Sequence, residues 1–283
     1  MFDNKSLLYD FLKYDSIISN YGGGEYLDTS MYSFLAPTTL IPLLNFIDEK
    51  DISLKTHPRT RAYVNNIVNK RTINTNTEYK VLLPKTMEER QDLAIVEDMV
   101  NKINPEYNQY IINHTLNEMI NNIYEHTPFG VNSTKKAYIY AQEYPNFDRL
   151  DICIRDDGLS IGGNFRSKGI DIGDCEAICR ATSKYSTSEE KDEKDKGNGL
   201  WTTIRLVVEG NGGNIFIVSG EGYLYIESKD KYTYGKLTEN YFKGTMISVR
   251  LFKRDFLMHL YGEDSLLEPN RIPRYGMKFE EVK

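Results

Sequence analysis

The sequence predicts an α/β protein, arranged as an α+β sandwich in which helices cover one face of a mixed sheet, with a small α/β module before it. Apolar residues recur at helical spacing in several segments, and short alternating segments between turn residues indicate strands. The composition, 40% hydrophobic and 27% charged over 283 residues, is typical of a globular chain. The predicted units are a module at 1–75, a larger domain at 76–256 and a tail at 257–283.

The first predicted unit alternates strands and helices. A strand ends at Tyr26–Asp28, a helix follows at 38–47, a second strand at 51–57 and a second helix at 59–68. The polar stretch at 70–77 is rich in Asn and Thr and has no apolar period, so we expect it to be a linker.

The second unit is predicted to begin with two helices. Thr86 and Glu89 form a capping-box pattern, which predicts a helix from 86 to about 103. Asn104–Pro105 then opens a second helix that ends near Pro128, because proline is favoured in a first helical turn and disfavours helix in the residue before it.

Strand patterns dominate the rest of the second unit. Two alternating segments, 135–143 and 149–155, predict a β-hairpin. A helix at 200–208 is expected to stop at the glycines of 210–213. The strands predicted after this helix lie at 214–219, 223–227 and 245–252.

Charge and composition argue against several classes of function. The formal net charge of −6 disfavours direct binding to nucleic acid, which needs a basic surface. No apolar run is long enough for a membrane span and no secretory signal is visible, so we expect a cytoplasmic protein. The three cysteines fit a reducing compartment, and Cys175 and Cys179 have no partners at zinc-site spacing.

The first candidate site motif lies on the helix predicted after Pro105. Glu118, Asn122 and His126 are spaced by four residues and therefore share one face. A carboxylate beside a carboxamide suits a general base next to an oxygen ligand of magnesium. The simpler alternative is a solvated helix face, with His126 as a structural residue at the helix end.

Two glycine-containing motifs follow. Asp156 and Gly158 come directly after an alternating strand, where a carboxylate can accept a hydrogen bond from an exocyclic amine while the backbone packs close to a ring. Gly197 and Gly199 precede a helix, where exposed backbone N–H groups can bind an anion. A plain glycine turn and an ordinary helix start are the alternatives.

In this order, the motifs resemble those of the GHKL ATPases, the superfamily of gyrase, heat-shock chaperones, mismatch-repair ATPases and histidine kinases. The matching segments are Glu118-x-x-x-Asn122 (N box), Asp156-x-Gly158 and Gly197-x-Gly199-Leu200 (glycine boxes) and Gly244-Thr245 (last box). Extension of the first motif to His126 is similar to the anti-sigma-factor serine kinases, and 175–187 resembles the phosphate-covering lid. One departure is Ser160, which stands where the family has a second glycine.

The resemblance implies a site for ATP and Mg²⁺. Glu118 would polarise the attacking water or hydroxyl, and Asn122 would bind the metal. Asp156 would accept from the adenine amino group, with Gly158 against the ring and Thr245 assisting through water.

The same resemblance assigns residues to the phosphates. Gly197, Gly199 and Leu200 would donate backbone amides to them. Lys184 and Ser186, in the predicted lid, would approach the terminal phosphate.

The first unit resembles a STAS-like domain through Tyr26–Ser30, Phe34–Pro37 and Tyr63–Val64, although any small α/β module would also explain the pattern. The expected function is an ATP- and magnesium-binding regulatory protein, acting as a protein serine/threonine kinase or slow ATPase. The alternative is a non-catalytic switch whose nucleotide occupancy selects a partner. Expected partners are a STAS-domain protein or a transcription factor, and a second copy of the chain as a homodimer.

Overall fold

The computed structural model describes residues 6–68, 81–87, 99–126, 137–183, 199–238 and 240–253. Its helices are α1 (Leu7–Ser19), α2 (Pro37–Lys50), α3 (Arg61–Val68), α4 (Gln109–His126), α5 (Ile161–Ser167), α6 (Asp174–Ala181) and α7 (Gly199–Ile204). A π-helical turn, Arg205–Gly210, continues α7. The strands are β1 (Tyr26–Thr29), β2 (Ser53–Thr56), β3 (Val81–Met87), β4 (Ala137–Tyr144), β5 (Arg149–Asp156), β6 (Asn214–Gly220), β7 (Gly222–Ser228), β8 (Lys231–Lys236) and β9 (Phe242–Phe252).

A seven-stranded sheet in the order β3-β4-β5-β9-β6-β7-β8 forms the centre of the fold. All of its pairings are antiparallel, so the α+β class is confirmed and the prediction of a mixed sheet is wrong for the described strands. The short turns between β4 and β5, β6 and β7, and β7 and β8 explain three of these six pairings, because a parallel pair needs a long crossover. Strands β1 and β2 pair in parallel as a separate two-stranded sheet, with α2 as their crossover.

Each face of the large sheet carries its own buried core. The front face is aliphatic, with Ile154, Ile217 and Ile247 among the residues packed with α4 and the helix at 199–210. The back face carries larger and more polar side chains, such as Tyr140 and Phe216, and packs with apolar residues of α1, α2 and α3. The described helices of the larger predicted domain thus pack with the front face, and the elements of the N-terminal module cover the back face.

Buried charges join α1 to the back face. Arg250 donates to both carboxylate oxygens of Asp151 at 2.8 and 2.9 Å, and its guanidinium lies 3.6 Å from the Asp10 carboxylate. Arg250 is 4% exposed and Asp151 is 1% exposed. Such a network needs every charge to be compensated, since one unpaired buried ion is strongly destabilising.

The hairpin, the helix at 200–208 and the later strands are confirmed with small changes in their bounds. Of the two helices predicted before the hairpin, the first does not begin at Thr86, although residues 99–102 near its predicted end are helical, and the second begins later than predicted. Thr86 lies in β3 and pairs with Tyr138 of β4, so its capping-box pattern does not start a helix. Strand pairing satisfies the backbone of this segment and overrides the local signal. Helix α4 begins at Gln109 rather than Pro105, because the Asn108 side chain accepts from the Ile111 N–H and caps it.

The predicted linker at 70–77 and tail at 257–283 lie outside the described residues. Within the described residues, no helix combines the length and the apolar character that a membrane crossing requires.

Candidate functional site at the end of the sheet

Asp156 is the last residue of β5 and pairs directly with Thr245 of β9. Its carboxylate is buried, with the residue 8% exposed, and accepts a hydrogen bond from the Gly158 N–H at 2.8 Å. The turn that brings this N–H back to the carboxylate follows from the Asp-x-Gly spacing, since aspartate readily bonds the backbone two residues on. The structure therefore places Asp156, Gly158 and Thr245 together, as predicted.

Burial raises the pKa of Asp156 to about 7, while the backbone hydrogen bond from Gly158 and the positive charge of Arg155 lower it. An ionised carboxylate in this position is poorly solvated and accepts hydrogen bonds readily. Near neutral pH the group lies at the midpoint of its titration, so a ligand that donates to it would favour the ionised form.

Gly244, the residue before Thr245, has a φ of +78° and packs against the carbonyl oxygen of Asp156. A methyl group at this position would overlap that carbonyl, and the left-handed backbone would be strained for any other residue. Glycine is therefore required here for two reasons, and its lack of a side chain allows β9 to approach the end of β5 closely.

Ser219 joins the same cluster from β6. Its hydroxyl lies 2.9 Å from the Thr245 hydroxyl, 3.1 Å from the Gly244 carbonyl and 2.8 Å from the Ile161 N–H. Ser219 is fully buried and pairs with Thr245 in the strand register. Three adjacent strands thus contribute one polar side chain each to one end of the sheet.

These three side chains project from the front face. Side chains alternate along a strand, and directly paired residues point to the same side. Ile154, two residues before Asp156, and Ile247, two residues after Thr245, belong to the front core with the apolar residues of α4. Asp156, Thr245 and Ser219 therefore lie at one end of the face that α4 covers.

Glu118 of α4 meets Gly199, the first residue of α7, although 80 residues separate them in the chain. The Glu118 carboxylate packs so closely on Gly199 that a methyl group there would overlap Oε2. The first and third predicted motifs are thereby brought into contact.

The other predicted site residues divide into two groups. Asn122 lies one turn after Glu118 on α4 and is half-buried, and Leu200 is partly buried against the front core. Lys184, Ser186 and Gly197 lie outside the described residues, as does the side chain of His126.

Ser160, the departure from the glycine-box pattern, has a structural role. Its hydroxyl accepts from the Gly163 N–H at 2.9 Å and caps α5, which begins at Ile161. The sequence pattern did not predict this short helix, because seven residues with two glycines carry little periodicity.

Two polar residues of this region were not predicted. Ser219 sits in an apolar strand, and only its period of two with Ile217 and Ile215 places it on the front face. His114 precedes Glu118 by one helical turn, and its buried Nε2 has no hydrogen-bond partner in the described part of the chain. Burial lowers the pKa of His114, while the negative charge of Glu118 raises it.

Among the described residues, no group of three or more His, Cys, Asp or Glu side chains is placed to hold a metal ion by itself. A metal in this region would need further oxygen ligands from a bound anion or from water, as magnesium commonly has. Comparisons with protein-family models, curated proteins and solved structures found no match for this chain.

Proposed function

We propose that the chain is an ATP- and magnesium-binding regulatory protein that transfers the terminal phosphate of ATP to a protein serine or threonine, or slowly to water. The observation that carries the proposal is the arrangement on the front face of the sheet. The buried acceptor Asp156 lies at one end of this face with Thr245 beside it, and α4, which packs on the same face, brings Glu118 into contact with Gly199. Motifs from four parts of the chain thus belong to the front face of the sheet and the helices that cover it.

The adenine base is assigned to the Asp156 end. The carboxylate would accept from the exocyclic amine, and the backbone at Gly158, whose N–H donates to the same carboxylate, would pack against the ring. A hydrogen bond to a buried charged acceptor contributes about 1.5–3 kcal/mol.

The phosphates are assigned to the start of α7, with Mg²⁺ held by Asn122 and phosphate oxygens. When bound, the metal would neutralise charge on the phosphates. Glu118 would remove the proton from the attacking hydroxyl, whose oxygen bonds to the terminal phosphorus while the bond to ADP breaks. Glu118 is half-buried and lies against Gly199, at the start of the helix assigned to the phosphates. Nucleotide binding alone does not require a carboxylate there, and this favours an enzyme over a passive switch.

Calorimetric titration with ATP and magnesium tests the base-binding end. We expect wild-type protein to bind and Asp156→Asn to bind at least about tenfold more weakly, since it replaces an acceptor oxygen with a donor amide. Asp148→Asn, in the exposed β4–β5 turn, is the matched control. Equal affinity in Asp156→Asn and wild type would contradict the assignment.

Incubation with γ-labelled ATP, with and without cell lysate, tests the chemistry. We expect Glu118→Gln to bind ATP normally but to lose turnover by about 10²–10⁴-fold, because a general base acts in the transition state. Glu125→Gln, on an exposed turn of the same helix, is the control. If wild-type protein binds ATP but transfers no label to protein or water, the nucleotide switch replaces the kinase.

A further inference from the structure

Residues 52–77 differ in charge from the rest of the chain. They contain five Lys or Arg residues and no Asp or Glu, whereas the whole chain has a formal net charge of −6, so the rest of the chain carries −11. The five basic residues are Lys55, Arg59, Arg61, Lys70 and Arg71. The first three lie among the described residues and are exposed. A local positive surface on a negatively charged protein attracts acidic groups.

The turn between β2 and α3 holds the two arginines. The His57 carbonyl accepts from the N–H groups of Thr60 and Arg61, both at 3.0 Å, and the His57 Nδ1 accepts from the Arg59 N–H at 3.1 Å. These bonds fix the path of the chain from the strand into the helix. On the inner side of α3, Val64 is fully buried in the back core. The helix is therefore anchored, while Arg61 in its first turn is exposed.

Neither arginine is neutralised by a neighbour. In the part of the chain that the structure describes, the Arg59 and Arg61 side chains have no ion pair. Asp28, an exposed residue of β1, is already paired with Lys55, whose Nζ lies 2.7 Å from its carboxylate. The positive end of the α3 dipole adds to the charge of the arginines. Two guanidinium groups thus remain for carboxylates of a ligand, which such groups bind in bidentate fashion.

Two exposed apolar side chains accompany these charges. Strands β1 and β2 are parallel, so Met31, which follows β1, and Arg59, which follows β2, lie at the same edge of the small sheet. Met31 is 78% exposed and Tyr26 of β1 is 51% exposed, and Lys55 Nζ lies 5.4 Å from the centroid of the Tyr26 ring. Together with Arg61, these residues form a surface that we call the basic face. Tyrosine, methionine and arginine are enriched in the contact surfaces of protein complexes.

We propose that the basic face is a docking site for an acidic segment of a partner protein, with carboxylates of the segment on Arg59 and Arg61 and an apolar side chain on Met31 and Tyr26. This inference goes beyond the proposed function and does not depend on nucleotide binding. Nucleic acid fits the face less well, because a long polyanion would also meet the negative charge of the rest of the chain. An acidic protein segment needs only the local positive charge.

Selection from a library of random peptides displayed on phage tests the proposal. We expect wild-type protein to enrich peptides that combine several Asp or Glu residues with an apolar residue. A synthetic peptide of the enriched sequence should bind at least about tenfold more weakly to Arg59→Glu/Arg61→Glu, because arginine anchors carry much of the energy of an interface. Lys168→Glu/Lys229→Glu, at exposed positions outside the basic face, changes the net charge equally and should bind like wild type. Met31→Ser should also weaken binding but leave its salt dependence unchanged, since it removes only apolar contact.

Every other outcome contradicts the proposal. It is wrong if no peptide is enriched, if the enriched peptides are not acidic, or if the arginine and lysine double variants bind equally. Oligothymidylate or phosphatidylserine vesicles that bind more tightly than the best peptide would replace the protein partner with nucleic acid or a membrane. A dimer that sedimentation detects and the arginine variant dissociates would assign the face to a second copy of the chain. If the arginine double variant does not fold, Arg59→Gln and Met31→Ser decide.

Discussion

The front and back faces of the central sheet are both buried, yet they are built from different side chains. Along β5 the front residues are Leu150, Ile152 and Ile154, whereas the back residues between them are Asp151, Cys153 and Arg155. The front core needs only close packing of aliphatic groups. The back face needs paired charges as well, and these extend to Asp10 of α1.

Because side chains alternate along a strand, the same strands can present an apolar face on one side and a charged face on the other. An apolar face packs against any helix with an apolar stripe, so it specifies burial but little else. A face with buried ions favours a partner that adds a complementary charge, and α1 does so by placing Asp10 near Arg250. On the front face, Asp156, Thr245 and Ser219 form the candidate site at one end, and at the other end Glu143 of β4 accepts a hydrogen bond from the Asn104 N–H at 2.6 Å.

The largest expected effect is at the back face. Arg250→Met leaves the carboxylate of Asp151 buried without its bidentate partner, so the free energy of unfolding should fall by about 3–5 kcal/mol. Lys55→Met removes one half of the exposed Asp28–Lys55 pair and should leave stability unchanged. Chemical denaturation measures the free energy of unfolding of both variants. An equally small change in the two would show that the back-face charges are not needed for stability.

At the front end, Asp156 should lower stability as pH rises. Its folded pKa of about 7 lies above the ordinary aspartate pKa of 3.8, so its contribution to stability is fully present below about pH 4 and is lost as pH approaches 7. Asp156→Asn does not titrate. Relative to wild type it should therefore gain about 2 kcal/mol between pH 5 and 7, at up to about 1.4 kcal/mol per pH unit. Denaturation at several pH values checks this, with exposed Asp148→Asn as the control that should show no such gain.

The same ionisation should appear in ATP binding. A ligand amine requires the charged carboxylate, and the ionised fraction rises about tenfold between pH 6 and pH 8 for a pKa near 7. Wild-type affinity should therefore tighten by about tenfold over this range. Because ATP itself titrates there, the quantity to compare is the ratio of wild-type to Asp156→Asn affinity at each pH. A ratio that does not change with pH would contradict the assigned role of the carboxylate.

The smallest expected effect concerns the contact between α4 and α7. The methyl group of Gly199→Ala would displace the Glu118 carboxylate, and turnover should fall by about tenfold or less while the melting temperature stays the same or rises slightly. Gly173→Ala, at the start of α6, meets nothing within 4 Å and is the matched control. Equal turnover in the two variants would show that the position of Glu118 against Gly199 does not matter for the reaction.

Much of the local structure was predictable because it depends on neighbours in the chain. The alternation from 149 to 155 predicted β5 on its own, and the Asp-x-Gly spacing predicted the turn that follows it. The helical spacing of Glu118 and Asn122 likewise placed them on one face of α4. The failures came from contacts distant in the chain: the capping pattern at Thr86 was genuine as a pattern but weaker than pairing with β4.

The sequence by itself determined the hydrophobic period, the ends and the chemical character of most segments, because spacing and capping act over a few residues. These features include the acceptor at the end of β5 and the glycines near it. Only the tertiary structure decided that α1 and α2 cover the polar back face, since Asp10 and Arg250 are 240 residues apart and their attraction depends on shared burial. It likewise decided that Ser219 meets Thr245 and that Glu118 meets Gly199. Such contacts depend on strand order and helix packing, which no local pattern encodes.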